Sequence, residues 1–160
     1  MGIKKSFSFE YTVYSDISEL SPADQKLVSG ALDAAQNSYS PYSGFKVGAA
    51  LKLQNGETIT GANQENAAFP SGLCAERTVM FEAGNRFPKT PYHTLAIAAT
   101  SEKIRVNEPV QPCGGCRQVM SEHNVKFDKS FRVLLYGESG EVWEIHDASA
   151  LLPLAFTMKL

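Results

Sequence analysis

The sequence predicts an α/β fold, a three-layer α/β/α sandwich around a mixed sheet of about five strands. Apolar and β-branched runs flank Asn55-Gly56, which is typical of an antiparallel hairpin. Thr94 to Ala99, "TLAIAA", is almost entirely apolar and therefore resembles a strand covered on both faces. Segments with helical periodicity alternate with the strands, so we expect helices on both sides of the sheet.

The first helix is predicted from Pro22 to about Asn37. Ser21 is a suitable N-cap and proline suits the first helical position. The apolar residues that follow lie on one face of this helix: Leu27, Val28, Ala31, Leu32 and Ala35. The two strands of the hairpin follow, as "VGAALKL" and "ETITGA".

Two further helices and two further strands follow the hairpin. "CAERTVMFEAG" contains helix formers from Cys74 up to the terminating Gly84, and another helix is expected from about Gly115 to His123. "FRVLLY" and "EVWEI" are predicted strands separated only by Gly137 to Gly140. A link this short excludes a crossover, so the last two strands should be antiparallel. "ASALLPLAF" is predicted to form a short C-terminal helix.

The chain has no internal repeat or shift in composition. With 43% hydrophobic and 20% charged residues, its composition is that of a globular protein. We expect an N-terminal extension at residues 1–20 and one domain at residues 21–160. The chain has no apolar run near the roughly 20 residues that span a bilayer, and "MGIKKSFSFE" lacks the apolar core of a signal peptide. We therefore expect a cytoplasmic protein without a membrane partner.

The charge pattern favours a small-molecule ligand over nucleic acid. The net charge is −2 and the sequence pI is about 5.9. The 15 lysines and arginines are scattered along the chain. Proteins that follow a phosphate backbone usually concentrate such residues in a basic stripe.

The three cysteines are Cys74, Cys113 and Cys116. The Cys-x-x-Cys spacing of the last two fits a redox dithiol, half of a structural zinc site or part of a catalytic metal site. Three thiolates suit zinc and leave the fourth tetrahedral position for water, as in catalytic sites. A histidine ligand would close the site, but His93, His123 and His146 do not lie at a characteristic spacing from a cysteine.

Residues next to the cysteines extend this hypothesis. Cys74 and Cys116 lie at predicted helix N-termini, where the helix dipole stabilises thiolates. Arg77 and Arg117 could offset the excess negative charge, or they could be solvated surface residues. Glu76, two residues after Cys74, could move protons between water and substrate. Alternatively, it is an ordinary acidic residue in a first helical turn.

"CAE" followed by "PCGGC" is the cysteine form of the zinc-deaminase signature. "YSPYSGFKVGAAL", "GANQENAAFPSGLCAERT" and "LLPLAF" also resemble segments of the small homotetrameric, zinc-dependent cytidine deaminases, so that the resemblance covers about Ser21 to Phe156. It implies the cytidine deaminase-like fold and hydrolysis of cytidine and 2'-deoxycytidine to uridine and 2'-deoxyuridine, with release of ammonia, in pyrimidine salvage.

The resemblance also assigns roles to residues. It implies one zinc ion per subunit on Cys74, Cys113 and Cys116, with Glu76 as the proton carrier. The implied substrate contacts are Asn63 and Glu65 to the ribose hydroxyls, Phe45 to the nucleoside, the Ala75 backbone to the pyrimidine edge, and Phe156 of a neighbouring subunit to the base. Without the resemblance, Phe45 would be a core residue, Asn63 and Glu65 turn residues, and Phe156 a packing residue of its own domain.

The chain departs from the family pattern at a few positions. Phe69 stands where a tyrosine is usual, "SEKIRVNEPVQ" is longer than the usual link, and Gln111 replaces a small residue. We expect a changed surface loop and an intact zinc site.

Three other functions are compatible with parts of the pattern. A polynucleotide-editing deaminase is opposed by the acidic balance and by the short link at Gly137 to Gly140, since such relatives have a helix there. A deaminase of another small aminated nucleoside is the closer rival. A non-catalytic structural zinc or redox module would leave Glu76 without a role.

Overall fold

A computed structural model describes residues 2–158 of the chain. Met1, Lys159 and Leu160, at the ends of the two predicted domain ranges, lie outside the described residues. The helices are α1 (Pro22–Ala35), α2 (Ala75–Arg86) and α3 (Gly114–Phe127). The strands are β1 (Thr12–Tyr14), β2 (Phe45–Leu53), β3 (Thr58–Ala62), β4 (Tyr92–Ser101), β5 (Arg132–Tyr136) and β6 (Val142–Ile145). Within the described part of the chain, each helix is too short or too polar to cross a membrane.

The strands form one mixed sheet in the order β1-β6-β5-β4-β2-β3. β4 and β5 are parallel, whereas the other neighbouring strands are antiparallel. One apolar cluster joins α1 to one face of the sheet, and a larger one joins α2 and α3 to the other. The predicted three-layer α/β/α sandwich and the antiparallel final pair of strands are therefore confirmed.

The sheet has six strands rather than about five, because β1 was not predicted. It lies within the predicted N-terminal extension and pairs with β6, where Val13 is opposite Trp143. The Tyr14 hydroxyl donates a hydrogen bond to Glu144 Oε2 at 2.8 Å, and Arg132 donates to Glu144 Oε1 at 2.7 Å. A three-residue strand whose partner lies about 130 residues away leaves too weak a local pattern to predict.

The packing of α1 on β2 follows the predicted pattern and depends on a glycine. Ser21 caps the helix, since its hydroxyl accepts a hydrogen bond from the Asp24 amide at 3.2 Å. A Cβ atom on Gly48 of β2 would lie 1.9 Å from the Ala31 carbonyl oxygen and 2.4 Å from the Ala35 nitrogen. The backbones of helix and strand therefore approach more closely than any side chain at position 48 would allow.

The predicted hairpin is confirmed. β2 and β3 pair antiparallel around a tight turn in which Gly56 has a φ of +91°. The Leu53 amide donates to the Glu57 carbonyl at 2.8 Å and closes the turn. A positive φ of this kind favours glycine, which explains why the Asn-Gly signal was informative.

Three predicted helix boundaries differ from the structure. α2 continues to Arg86, because Gly84 faces open space and does not interrupt the helical hydrogen bonds. α3 runs from Gly114 to Phe127 instead of ending near His123, and Cys113 is its N-cap, with Cys116 in the first turn as expected. The predicted C-terminal helix is wrong beyond a 3₁₀ turn at Ala148–Leu151. Pro153 brings no N–H, and Leu154 then takes a φ of +57°, so the segment ends in an irregular tail.

Candidate active site

Three thiols converge where the N-termini of α2 and α3 meet. Cys74 is the N-cap of α2, Cys113 is the N-cap of α3, and Cys116 lies in the first turn of α3. The Cys113 sulfur is 3.7 Å from that of Cys74 and 3.5 Å from that of Cys116. All three sulfurs lie within 4.8 Å of one another. Zn–S bonds of about 2.3 Å at tetrahedral angles place sulfurs about 3.8 Å apart, so this donor set fits zinc.

The histidines do not extend the cluster within the described residues. His123 Nε2 accepts a hydrogen bond from the Tyr92 amide at 3.0 Å. His93 contacts Thr94, and His146 contacts Thr12 at the edge of the sheet. The described residues therefore provide three candidate ligands, as in catalytic zinc sites, where the fourth coordination position is open to water or substrate.

The surroundings of Cys74 favour its thiolate. Hydrogen bonds from Cys116, Arg77 and Cys113 lower the pKa of Cys74 to about 5, although burial opposes this shift. The hydrogen bond to Cys74 and burial raise the pKa of Cys116. The position of Cys74 at the start of α2 adds the favourable helix dipole. The site thus stabilises at least one ligand in the state that binds metal.

The two arginines predicted to balance charge have different neighbours. Arg77 Nη2 donates to the Cys74 sulfur at 3.5 Å, which places this cation beside the thiols. Arg117 instead donates through Nε to the Pro112 carbonyl at 2.7 Å and through Nη1 to the Leu151 carbonyl at 3.0 Å. Its hydrogen bonds therefore tie the start of α3 to the 3₁₀ turn rather than to the sulfurs.

Glu76 lies in the first turn of α2 and is 4% exposed. It lines the same cavity as Cys74 and Cys113. Burial raises the pKa of the Glu76 carboxyl. A carboxyl with a raised pKa, next to a metal-binding set of thiols, has the properties of a general acid and base.

The cavity has a volume of about 460 Å³, which is in the usual range for small-molecule sites. Of the predicted site residues, those that line it are Phe45, Asn63, Glu65, Cys74, Glu76, Arg77 and Cys113. Ala75 is fully buried at the start of α2. Phe156 is not among the lining residues and is 74% exposed.

Asn63 holds the backbone at the start of β2, and Glu65 holds that of the loop before it. Asn63 Oδ1 accepts from Ser38 Oγ at 2.6 Å and from the Val47 amide at 2.8 Å, and its Nδ2 donates to the Phe45 carbonyl at 3.0 Å. Glu65 Oε2 accepts from the amides of Tyr42 and Ser43. One N–H of Asn63 makes no hydrogen bond among the described residues, and the Glu65 carboxylate keeps lone pairs that can accept further hydrogen bonds.

Several cavity residues were not predicted as site residues. Val47 and Ile97 line the cavity from the sheet, whereas Val110 and Gln111 line it from the loop before α3. Val47 lies two residues after Phe45, on the same face of its strand, so alternation could have identified it, whereas Ile97 lies in an apolar run without alternation. Residues 110 and 111 carry no comparable signal, because a loop has no periodic pattern. Phe69, noted earlier as a departure, also lines the cavity and meets Tyr42 edge-on, with ring centroids 5.9 Å apart.

The family described as "Cytidine and deoxycytidylate deaminase zinc-binding region" matches residues 21–127. The chain belongs to this family. The matched region contains all three cysteines and Glu76. Family membership and the geometry of the sulfurs together confirm the expected cofactor, one zinc ion per subunit.

Other members of the family are similar over almost their whole length. The cytidine deaminase of Halalkalibacterium halodurans is 42% identical over 133 residues, which are 83% of this chain and 93% of the relative. That of Sporosarcina psychrophila is 38% identical, over 83% of this chain and 90% of the relative. The crystal structure of cytidine deaminase from Burkholderia pseudomallei has a TM-score of 0.71 at 37% identity, covering 82% of this chain and 97% of the other.

Proposed function

We propose that the protein hydrolyses cytidine and 2'-deoxycytidine to uridine and 2'-deoxyuridine and releases ammonia. The observation that carries this proposal is the buried Glu76, which lines the same cavity as Cys74 and Cys113, two of the three clustered thiols. The relatives with 42% and 38% identity are cytidine deaminases, which supports the choice of substrate.

Cys74, Cys113 and Cys116 hold the zinc ion, which supplies Lewis-acid activation of water when it is bound. Glu76 accepts a proton from the attacking water and delivers it to N3 of the pyrimidine. It then transfers the second proton to the departing amino group, so that ammonia leaves and uridine remains. Because the carboxyl is buried, it exchanges protons with the reactants rather than with bulk water.

Arg77 supports the metal ligands. Three thiolates around one Zn²⁺ leave a net charge of about −1, which opposes the activation of water. The hydrogen bond from Arg77 to Cys74 withdraws negative charge from one sulfur. For Arg117, its hydrogen bonds to backbone carbonyls support a role in holding the start of α3.

Asn63 and Glu65 are suited to bind one sugar hydroxyl. Asn63 has one N–H left to donate, and the Glu65 carboxylate has lone pairs left to accept. A single hydroxyl can accept the first hydrogen bond and donate the second. This pair therefore does not require both ribose hydroxyls, which supports activity on cytidine and 2'-deoxycytidine alike.

The remaining proposed contacts place the base. Phe45 packs against the nucleoside inside the cavity, and the backbone of Ala75 binds the pyrimidine edge. Ala75 is the first residue of α2, and N–H groups in a first helical turn have no acceptor within the helix.

Phe156 completes the proposed site from a neighbouring subunit of a homotetramer. Its exposed ring lies outside the cavity of its own subunit, as a residue that serves another subunit would. The proposed assembly acts in the cytoplasm on small nucleosides.

The direct test is to incubate the purified protein with cytidine and to measure uridine and ammonia. 2'-Deoxycytidine should also react, whereas cytosine, CMP and adenosine serve as comparison substrates. Conversion of adenosine alone, or the absence of any conversion by zinc-loaded protein, would contradict the proposal.

A further inference from the structure

Residues 102–113 link β4 to α3, and this link forms one wall of the cavity. Val110 and Gln111 of the link line the cavity. The turn between β5 and β6 lies against the link but does not line the cavity itself. We infer that Glu138 in this turn is a positioning residue that determines how well the cavity binds its nucleoside, an inference that rests on the proposed function.

Glu138 holds the link by two hydrogen bonds to one residue. Its Oε2 accepts from the Val106 amide at 2.6 Å, and its own amide donates to the Val106 carbonyl at 2.8 Å. Val106 is 7% exposed, so competition from water is weak. Hydrogen bonds to a charged acceptor are also stronger than those between neutral groups. This pair of bonds, the Glu138–Val106 clasp, therefore fixes the middle of the link.

Close backbone packing supports the clasp. A Cβ atom on Gly137 would lie 2.8 Å from both the carbonyl carbon and oxygen of Glu108 and 3.0 Å from the Val106 carbonyl oxygen. Such distances are shorter than real Cβ contacts, so the turn and the link touch through their backbones. A movement of the turn would therefore move the link.

The wall residues lie between two fixed points. The clasp holds Val106 on one side, and the Arg117 side chain holds the Pro112 carbonyl on the other, at 2.7 Å. Between them, Pro109 is buried and its carbonyl accepts a hydrogen bond from Gln111 Nε2 at 2.7 Å. Loss of the Glu138 side chain would remove the side-chain hydrogen bond of the clasp, loosen the first fixed point and let Val110 shift within the cavity wall.

The variants Glu138→Ala and Glu138→Gln separate positioning from other effects. Glutamine keeps a side-chain oxygen that accepts from the Val106 amide, whereas alanine does not. Glu108→Ala is the matched control, because it removes an exposed carboxylate from the link itself and leaves the clasp in place. For each variant, the measurements are KM and kcat for cytidine, zinc content, and hydrogen exchange at the Val106 amide.

We expect Glu138→Ala to raise KM roughly threefold to tenfold with little change in kcat, because the clasp shapes the wall and does not touch the reacting atoms. Zinc content should stay at the wild-type level. Exchange at the Val106 amide should accelerate by about tenfold or more as its protection is lost. Glu138→Gln and Glu108→Ala should both resemble the wild type.

An unchanged KM in Glu138→Ala, or an equal rise in Glu138→Gln, would overturn the inference. If hydrogen exchange at the Val106 amide is unchanged in Glu138→Ala, the Glu138 side chain does not protect that amide, and the clasp is contradicted whatever the substrate. If the wild-type protein does not deaminate cytidine, the proposed function fails, and the role in binding this substrate fails with it. The exchange experiment distinguishes these two failures because it needs no substrate.

Discussion

The guanidinium of Arg77 donates a hydrogen bond to the Cys74 sulfur over 3.5 Å, from the first turn of the helix that Cys74 caps. The Nε of Arg77 is buried and makes no hydrogen bond within the described residues. The Arg77 guanidinium therefore points toward the thiols and not toward a carboxylate or carbonyl acceptor elsewhere in the described residues. Its positive charge therefore acts directly on the Cys74 thiol.

Arg77→Gln should weaken zinc binding about tenfold or more, since loss of a residue that supports a metal ligand typically has an effect of this size. The measurement is a competition titration with a chelator of known affinity. Arg86→Gln is the control, because Arg86 is on the same helix but forms a half-exposed ion pair with Glu82. Equal zinc affinities of the two variants would exclude the proposed support.

Glu76→Gln should abolish the proton transfers and keep the metal. Glutamine preserves the shape of the buried side chain, so the fold and zinc content should match the wild type. The deamination rate should fall by at least about 100-fold, as expected when a general acid and base is lost. Turnover near the wild-type rate in zinc-loaded protein would rule out Glu76 as the proton carrier.

Phe156→Ala should lower activity, and mixing should partly restore it. If Phe156 acts on a neighbouring subunit's cavity, subunits carrying Phe156→Ala and subunits carrying Glu76→Gln can combine into sites with an intact Glu76 and an intact Phe156. Dissociation and reassembly of the two variants together should therefore give more activity than either alone. No gain in verified mixed oligomers would indicate that Phe156 acts only within its own subunit.

Gly48→Ala should prevent the packing of α1 on β2. The added Cβ would lie 1.9 Å from a helix carbonyl oxygen, so the helix must move away from the sheet. We expect a loss of several kcal/mol of unfolding free energy, or insoluble protein. Gly84→Ala is the control, since that helical position faces open space and should gain roughly 0.5 to 1 kcal/mol. Denaturant unfolding of both variants measures the difference.

His123 should make the folded state less stable in mild acid. Its ring is 5% exposed and stacks on Tyr92 at 3.7 Å between centroids, and burial lowers the pKa of His123 to about 4. The unfolded chain, with a histidine pKa of about 6.5, takes up the proton first as the pH falls. Unfolding free energy should therefore decrease between about pH 6.5 and pH 4, by about 3 kcal/mol at the lower pH.

Denaturant unfolding at pH 7 and pH 4.5 measures this dependence on His123. His123→Gln should reduce the loss of stability, whereas exposed His146→Gln should retain it. If His123→Gln loses as much stability as the wild type, the dependence on pH arises from other groups.

The predictions that succeeded depend on short stretches of sequence. The Ser21-Pro22 start of α1 and the Asn55-Gly56 turn were identified because a few neighbouring residues determine a cap or a turn. The prediction of a C-terminal helix was wrong because it relied on the apolar composition of "LLPLAF". It gave too little weight to Pro153, which has no N–H to continue a helix. The roles of Asn63 and Glu65 remained open, because their backbone partners are about 20 residues away.

The sequence by itself identified the three cysteines as candidate zinc ligands and Glu76 as the candidate proton carrier, and it determined the alternation of helices and strands, because these depend on residue chemistry and short-range spacing. The tertiary structure decided which distant groups meet. It paired β1 with β6, directed Arg77 to the thiols and Arg117 to backbone carbonyls, placed Val110 in the cavity wall, and brought Glu138 to Val106 in the same link. Contacts between segments far apart in the chain depend on how the whole sheet and its helices pack, and no local pattern encodes that arrangement.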